Sequence, residues 1–243
     1  MIFYKKVCPF QAITFDLDDT LYDNNVHMPV AESAFMAELH QAFPETTNIA
    51  KSEWRQYRVN ALNLQPQLKN DMGELRKHIL RQLFESLGLS GSTLSAAIEH
   101  SFARFYFHRS NFKVEDNIHS LLKSLAERYP LVAITNGNVN LEQIGLSPYF
   151  KHTFKAHLDQ PMKPHGAMFE ATQCALNLAA NRILHVGDNL HNDVLGAIKA
   201  GFQSAWYAHD RAMMVKEESM FLLPNMQLNK LTELLKFDTL NFT

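Results

Sequence analysis

The residues best suited to chemistry lie in Phe15-Asp16-Leu17-Asp18-Asp19-Thr20-Leu21, directly behind the apolar run Ala12-Ile13-Thr14-Phe15. An apolar strand that ends in carboxylates delivers acids to the carboxyl edge of a sheet, where open α/β folds place their ligands. A calcium loop of the D-x-[DN]-x-[DN]-G-x5-E type is excluded, because Leu21 stands where glycine is needed and His27 where the bidentate glutamate is needed. Further polar groups follow in order. Thr135-Asn136-Gly137 ends the apolar run 131–134, and Lys163 precedes Pro164. Gly187-Asp188-Asn189 ends the run 183–186, with Asp193 five residues beyond Asp188. Taken singly these are a turn, a solvated lysine and a bend. Their order and their placement at strand ends point to one site.

The elements that must position them divide the chain into three stretches. After the first strand, residues 22–110 lose the strand signature and read as helices. Val30, Ala34, Phe35, Leu39 and Phe43 recur near helical spacing from Met28, and Pro44 follows as a stop. Asp71-Met72-Gly73-Glu74 has the form of a capping box ahead of Leu75, Ile79, Leu83 and Leu87, and Gly88 ends that helix. Leu94, Ile98, Phe102 and Phe105 mark a third helix. From residue 111 onward helix and strand alternate. Ile118, Leu121, Leu122 and Leu125 form a helix face, and residues 131–135 a buried strand. A helix is expected to open at Pro164, then a strand over 183–186, a helix from Asn192 to Ala200 ended by Gly201, and a strand over 203–207. This order predicts an α/β fold: a doubly wound, mostly parallel sheet formed by residues 1–21 and 111–243, with a helical cap inserted over 22–110.

With 243 residues, 46% of them hydrophobic and 20% charged, the chain is long enough for a substantial core, and no run approaches a membrane span. A net charge of −2 gives no basic field for nucleic acid. Cys8 and Cys174 form no CxxC pair and are expected to be packed, unreactive thiols in a reducing compartment, the cytoplasm. A P-loop is absent. The twelve histidines show no metal-ligand spacing; His185, inside an apolar run, reads as a packed histidine, and His165 as a candidate substrate contact. Oligomeric state has no signature.

With Asp16-x-Asp18-x-Thr20, Thr135, Lys163 and Gly187-Asp188-x-x-x-x-Asp193 in this order, the sequence resembles the haloacid dehalogenase-like hydrolase superfamily. That resemblance implies a Rossmann-like core with a cap, and a phosphatase that works through an aspartyl phosphate. It makes Asp16 the nucleophile and Asp18 the group that protonates the leaving alkoxide and then deprotonates water. Thr135, Asn136 and Lys163 would hold the phosphate. Mg²⁺ would be held by Asp16, Asp188 and the backbone carbonyl of Asp18, and Asp193 would orient Lys163 or a metal-bound water. One departure is visible: many relatives carry an acid where this chain has Asn189, which implies altered metal tuning.

An acid at position 18 disfavours a dehalogenase, since a departing halide needs no proton. A phosphomutase keeps both acids, and a binding or regulatory module on the same scaffold would be expected to lose one of them or the lysine. The wording of residues 15–24, 131–138 and 183–201 is similar to a bacterial subgroup of flavin-pathway phosphatases. Those act on 5-amino-6-(5-phospho-D-ribitylamino)uracil and FMN in riboflavin biosynthesis. A small phosphorylated metabolite is therefore the expected partner. Trp54, Tyr57, Phe105 and Phe107 in the cap offer rings for stacking, although packing is their first expected use.

Overall fold

The computed structural model describes residues 1–214, 218 and 222–238. Four apolar runs become strands β2 (Ala12–Phe15), β3 (Leu131–Thr135), β5 (Ile183–Gly187) and β6 (Gln203–Trp206), every residue of which is buried. They are buried along their whole length because both faces of the sheet are covered, and the few polar residues in them, such as Thr14, His185 and Gln203, are hydrogen-bonded. Ile13, Phe15, Ala133, Leu184 and Val186 enter one core layer, against Leu121, Leu122 and Leu125 of helix α5 (Asp116–Ala126). The alternate residues Ala12, Val132, Ile134 and Ile183 enter the other, against Met168 and Phe169 of helix α6 (Ala167–Leu176). This is the two-residue period of a strand read on both faces.

With β1 (Ile2–Phe3), β4 (His152–Lys155) and β7 (Met226–Gln227), the sheet has the order β1-β7-β6-β5-β2-β3-β4. Every pairing is parallel except β1 with β7. The chain leaves β2, builds outward through β3 and β4 on one side, then returns to build β5, β6 and β7 on the other. The strand order therefore reverses at β2, and a crevice opens where the carboxyl ends of β2, β3 and β5 diverge. Registers Phe15↔Ala133 and Phe15↔Val186 bring those three ends level.

Between β2 and α5 lie four α-helices: α1 (Asn24–Ala42), α2 (Lys51–Leu64), α3 (Met72–Ser86) and α4 (Gly91–Arg109). α4 packs on α1 and α3, and α2 packs on α3. Phe35, Leu39, Leu80, Leu83, Phe84, Leu94, Ile98 and Phe105 form their shared core. Asp23 caps α1 by accepting from the Asn25 N–H, so this helix begins before the expected Met28 and carries Pro29 within it. Asp71 accepts from the Glu74 N–H, one half of the expected capping box.

Three expectations need correction. The helix expected to open at Pro164 begins at Ala167, after a turn over residues 163–166. The helix expected from Asn192 begins as a π-helical turn, Leu190–Leu195, which passes into the short α7 (Gly196–Lys199). Cys8 and Cys174 are exposed free thiols and not packed ones. Among the described residues no helix is long and apolar enough to cross a membrane.

Candidate active site

The crevice at the carboxyl ends of β2, β3 and β5 gathers the candidates predicted from the sequence. Asp16 leaves β2 with its N–H donating to the Val186 carbonyl at 2.9 Å, which ties the first acid to β5. Lys163 is 2% exposed, and its ammonium donates to Asp16 Oδ1 and Asp193 Oδ1, each at 2.6 Å, and to the Ile134 carbonyl at 2.7 Å. All three of its protons are thereby used. Its loop is clamped by Asn136, whose Oδ1 accepts from the Lys163 N–H at 2.7 Å and whose Nδ2 donates to the Lys163 carbonyl at 3.1 Å. Asn136 thus positions the lysine through its side chain. Thr135 Oγ1 accepts from the Gly137 N–H at 3.0 Å, holding the turn after β3.

Asp193 reaches the site from the π-helical turn. Its Oδ2 accepts from the Asn189 N–H, and its Oδ1 also meets His185 Nε2 at 3.2 Å. His185 shares its other nitrogen with Thr14 Oγ1 at 2.7 Å and lies edge-on to Phe169, so it is a packed, satisfied histidine whose pKa burial pushes down. Gly187 is needed beneath this arrangement, because a Cβ there would overlap the Asp193 side chain. Gly187→Ala is expected to cost about 1–3 kcal/mol by overpacking. Urea unfolding with an unchanged m value measures it.

Asp16, Asp188 and Asp193 each offer an oxygen within 4.8 Å of the others. Burial pushes the Asp16 carboxyl well above its ordinary range against the pull of Lys163, with Asp193 and Asp188 adding to the rise. Burial and then Asp193 push Asp188 up to about 7. Asp193 goes the other way: Lys163 and His185 override its burial and hold it low. Burial disfavours the Lys163 charge, but Asp16 and Asp193 hold it above its usual value. Three carboxylates thus face one buried ammonium, with the partly exposed Arg211 against Asp188 from outside, and the unfavourable charge falls on Asp16 and Asp188. A cluster of hard oxygen donors with surplus negative charge fits a divalent cation such as Mg²⁺.

Asp18 projects toward the helical insert. Its Oδ1 accepts from the Tyr22 hydroxyl at 2.8 Å and from Arg109, the last residue of α4, while its Oδ2 lies so close over Gly137 that a Cβ there would strike it. A cavity of about 760 Å³ opens beyond it between core and insert. Asp18, Gly137 and Asn138 form its floor, and the insert supplies Met28, Met36, Trp54, Arg76 and Phe105 among its walls. Of the four aromatic residues singled out for stacking, Trp54 and Phe105 line the cavity, whereas Tyr57 and Phe107 do not.

His165 is exposed and accepts from the Ala167 N–H just before α6, and it does not line the cavity. Asn189 points away from the acids as well. Its Oδ1 accepts from the His191 and Asn192 N–H groups and starts the π-helical turn that carries Asp193. Asp19 takes a left-handed φ of 59° and accepts from the Asn24 N–H, a structural use. Two arginines were missed. Arg109 pairs with Asp18, and Arg211 donates to Asp188 Oδ2 at 3.0 Å. A lone arginine carries no spacing signal, so neither was legible without the fold.

The family model for haloacid dehalogenase-like hydrolase matches residues 10–201. The 5-amino-6-(5-phospho-D-ribitylamino)uracil phosphatase YigB of Escherichia coli is 32% identical over 234 residues, which span 96% of this chain and 98% of that protein. The pyrimidine 5'-nucleotidase PynA of Streptococcus pneumoniae is 28% identical over 82% of this chain and 84% of its own length. Among solved structures, a 2-haloacid dehalogenase from Pseudomonas syringae superposes with a TM-score of 0.86 at 27% identity, over 95% of this chain and 98% of that one.

Proposed function

The chain belongs to the haloacid dehalogenase-like hydrolase family as one of its phosphatases, and from that premise we propose that it dephosphorylates a small metabolite through an aspartyl phosphate on Asp16. The favoured substrate is 5-amino-6-(5-phospho-D-ribitylamino)uracil, on the likeness to YigB, with FMN, from the resemblance to flavin-pathway phosphatases, as a second. The observation that carries the reading is the placement of Asp18. It is an acid two residues from Asp16, held by Tyr22 and Arg109 at the floor of the cavity, where a leaving group needs a proton.

In the proposed reaction the Asp16 carboxylate attacks phosphorus, and the bond to the leaving alkoxide breaks as Asp18 gives that oxygen its proton. Asp18 then takes a proton from water, whose oxygen attacks the phosphorus of the acyl phosphate, releasing phosphate and restoring the Asp16 carboxylate. Two like charges about 4 Å apart repel by roughly 4 kcal/mol at an effective dielectric of 20, so the approach to a phosphate must be offset. Lys163 supplies fixed positive charge beside Asp16. Asp16, Asp188 and the Asp18 carbonyl would hold Mg²⁺, which would supply the remaining charge when bound. Thr135 and the amides after it hold phosphate oxygens. The insert over 22–110 acts as the cap that closes on the substrate, and Trp54 and Phe105 accommodate its ring. The two unpaired thiols suit a reducing cytoplasm.

The test is phosphate release from a panel of phosphorylated metabolites with and without Mg²⁺. The flavin precursor and FMN are expected to exceed pyrimidine 5'-nucleotides at least tenfold in kcat/KM, and 2-chloropropionate is expected to remain intact. A preference for the nucleotides would overturn the substrate assignment.

Cation binding also has a pH signature. Asp188 holds its proton up to about 7 in the folded chain against an ordinary value of 3.8, so the stability it contributes is present in full below the ordinary value and lost as pH rises through 7. Mg²⁺ competes with that proton. Its stabilisation, read as a shift in Tm, is therefore expected to be larger at pH 8 than at pH 6.

A further inference from the structure

Arg109 stands apart from the residues used so far. It is 1% exposed, ends the last helix of the insert and lines the cavity beside Asp18. Among the described residues only Nη2 has an acceptor, Asp18 Oδ1, while Nε and Nη1 are buried with no hydrogen-bond partner. Buried polar groups are hydrogen-bonded in the great majority of cases, and an unmet donor on a charged group is costly. A guanidinium can only donate, so what is missing is an oxygen acceptor. Burial opposes the charge, but Asp18 and Tyr22 maintain it, so the donors remain those of an arginium. The other side chains of this corner are already committed: Tyr22 donates to Asp18, and Arg76 pairs with Glu32 and lies over Phe105. The acceptor has to come from the cavity.

We propose that Arg109 is a specificity-determining residue that binds a hydroxyl or carbonyl oxygen of the leaving group, close to the ester carbon. This rests on the phosphatase reading, because it is the placement of Asp18 beside the ester oxygen that sets where Arg109 reaches. With Nη2 held by Asp18, the unmet Nε and Nη1 belong to the same small guanidinium and so stand beside the acid assigned to the ester oxygen, which points them to oxygens near the ester carbon. The substrate class this selects is the phosphate monoester of a polyol. Simple alkyl and aryl phosphates leave both donors unmet.

The test compares D-ribitol 5-phosphate with n-pentyl phosphate, which lacks the hydroxyls. The wild-type enzyme is expected to favour the polyol ester roughly tenfold to hundredfold in kcat/KM, mostly through KM, as befits one or two hydrogen bonds to a charged group. In Arg109→Gln and Arg109→Lys the preference is expected to fall to within about threefold; the lysine variant keeps a charge for Asp18 and guards against simple misfolding. Calorimetric Kd values for the two esters, taken on Asp16→Asn with and without the Arg109 change, give the same ratio without turnover. Failure of the wild type to hydrolyse either ester would count against the phosphatase reading alone. A ratio of Kd values that survives the Arg109 substitutions would overturn the assignment of Arg109.

Discussion

Asp16→Asn is expected to lower Mg²⁺-dependent phosphate release by at least about 10³-fold, the scale of losing a nucleophile that acts as part of a unit. The amide keeps the shape of the carboxylate and can still face the Lys163 ammonium, but it cannot form the acyl phosphate. Because burial and two neighbouring carboxylates already oppose the charge on Asp16, its removal also relieves the folded state. The variant is therefore expected to melt at or above the temperature of the wild type, measured without metal at pH 8. Lost activity together with retained stability separates a chemical role from a structural one. An unfolded variant, or one that still turns over, would refute the assignment.

Lys163→Met is expected to do the opposite and damage both. The methionine fills the volume but removes the ammonium that both acids contact at 2.6 Å, leaving Asp16 without its cation and Asp193 with only His185 and the Asn189 N–H, buried together. Breaking a buried pair by removing one member costs about 3–5 kcal/mol. For a chain of this size that corresponds to a fall in Tm of roughly 10 °C. The deficit has a predicted sign with pH. Without the ammonium the two carboxyls hold their protons to higher pH in the folded state than in the unfolded one. Stability is then retained in acid and lost as pH rises, so the deficit should be smaller at pH 5 than at pH 8. Phosphate release should fall by about 10²-fold or more, because the fixed charge beside the attacking carboxylate is gone. Equal deficits at the two pH values would mean that the lysine only fills space.

What could be read from the sequence follows from what was buried. The runs ending at Phe15, Thr135 and Gly187 were legible because both faces of the sheet are covered, which leaves them mostly apolar. The acids and the lysine were legible because each stands at a strand end or just beyond a break. α2 was missed because Ala61 is its only fully buried residue, so it shows no apolar stripe. β4 was missed because it lies at the sheet edge with no fully buried residue. Pro164 suggested a helix start, but a turn over residues 163–166 holds the start to Ala167. Asn189 looked like a change in the metal site and is the cap of the turn that delivers Asp193. Arg109 and Arg211 depend on contacts 91 and 23 residues away in the chain, which no local pattern encodes.

The central claim is that a covalent phosphoenzyme forms on Asp16, and trapping that species tests it most directly. Enzyme quenched during turnover and reduced with borohydride converts an acyl phosphate to the alcohol, so peptide mass spectrometry should find homoserine at position 16, dependent on substrate and absent from Asp16→Asn. Steady hydrolysis with position 16 unmodified, or the label on another residue, would contradict the account.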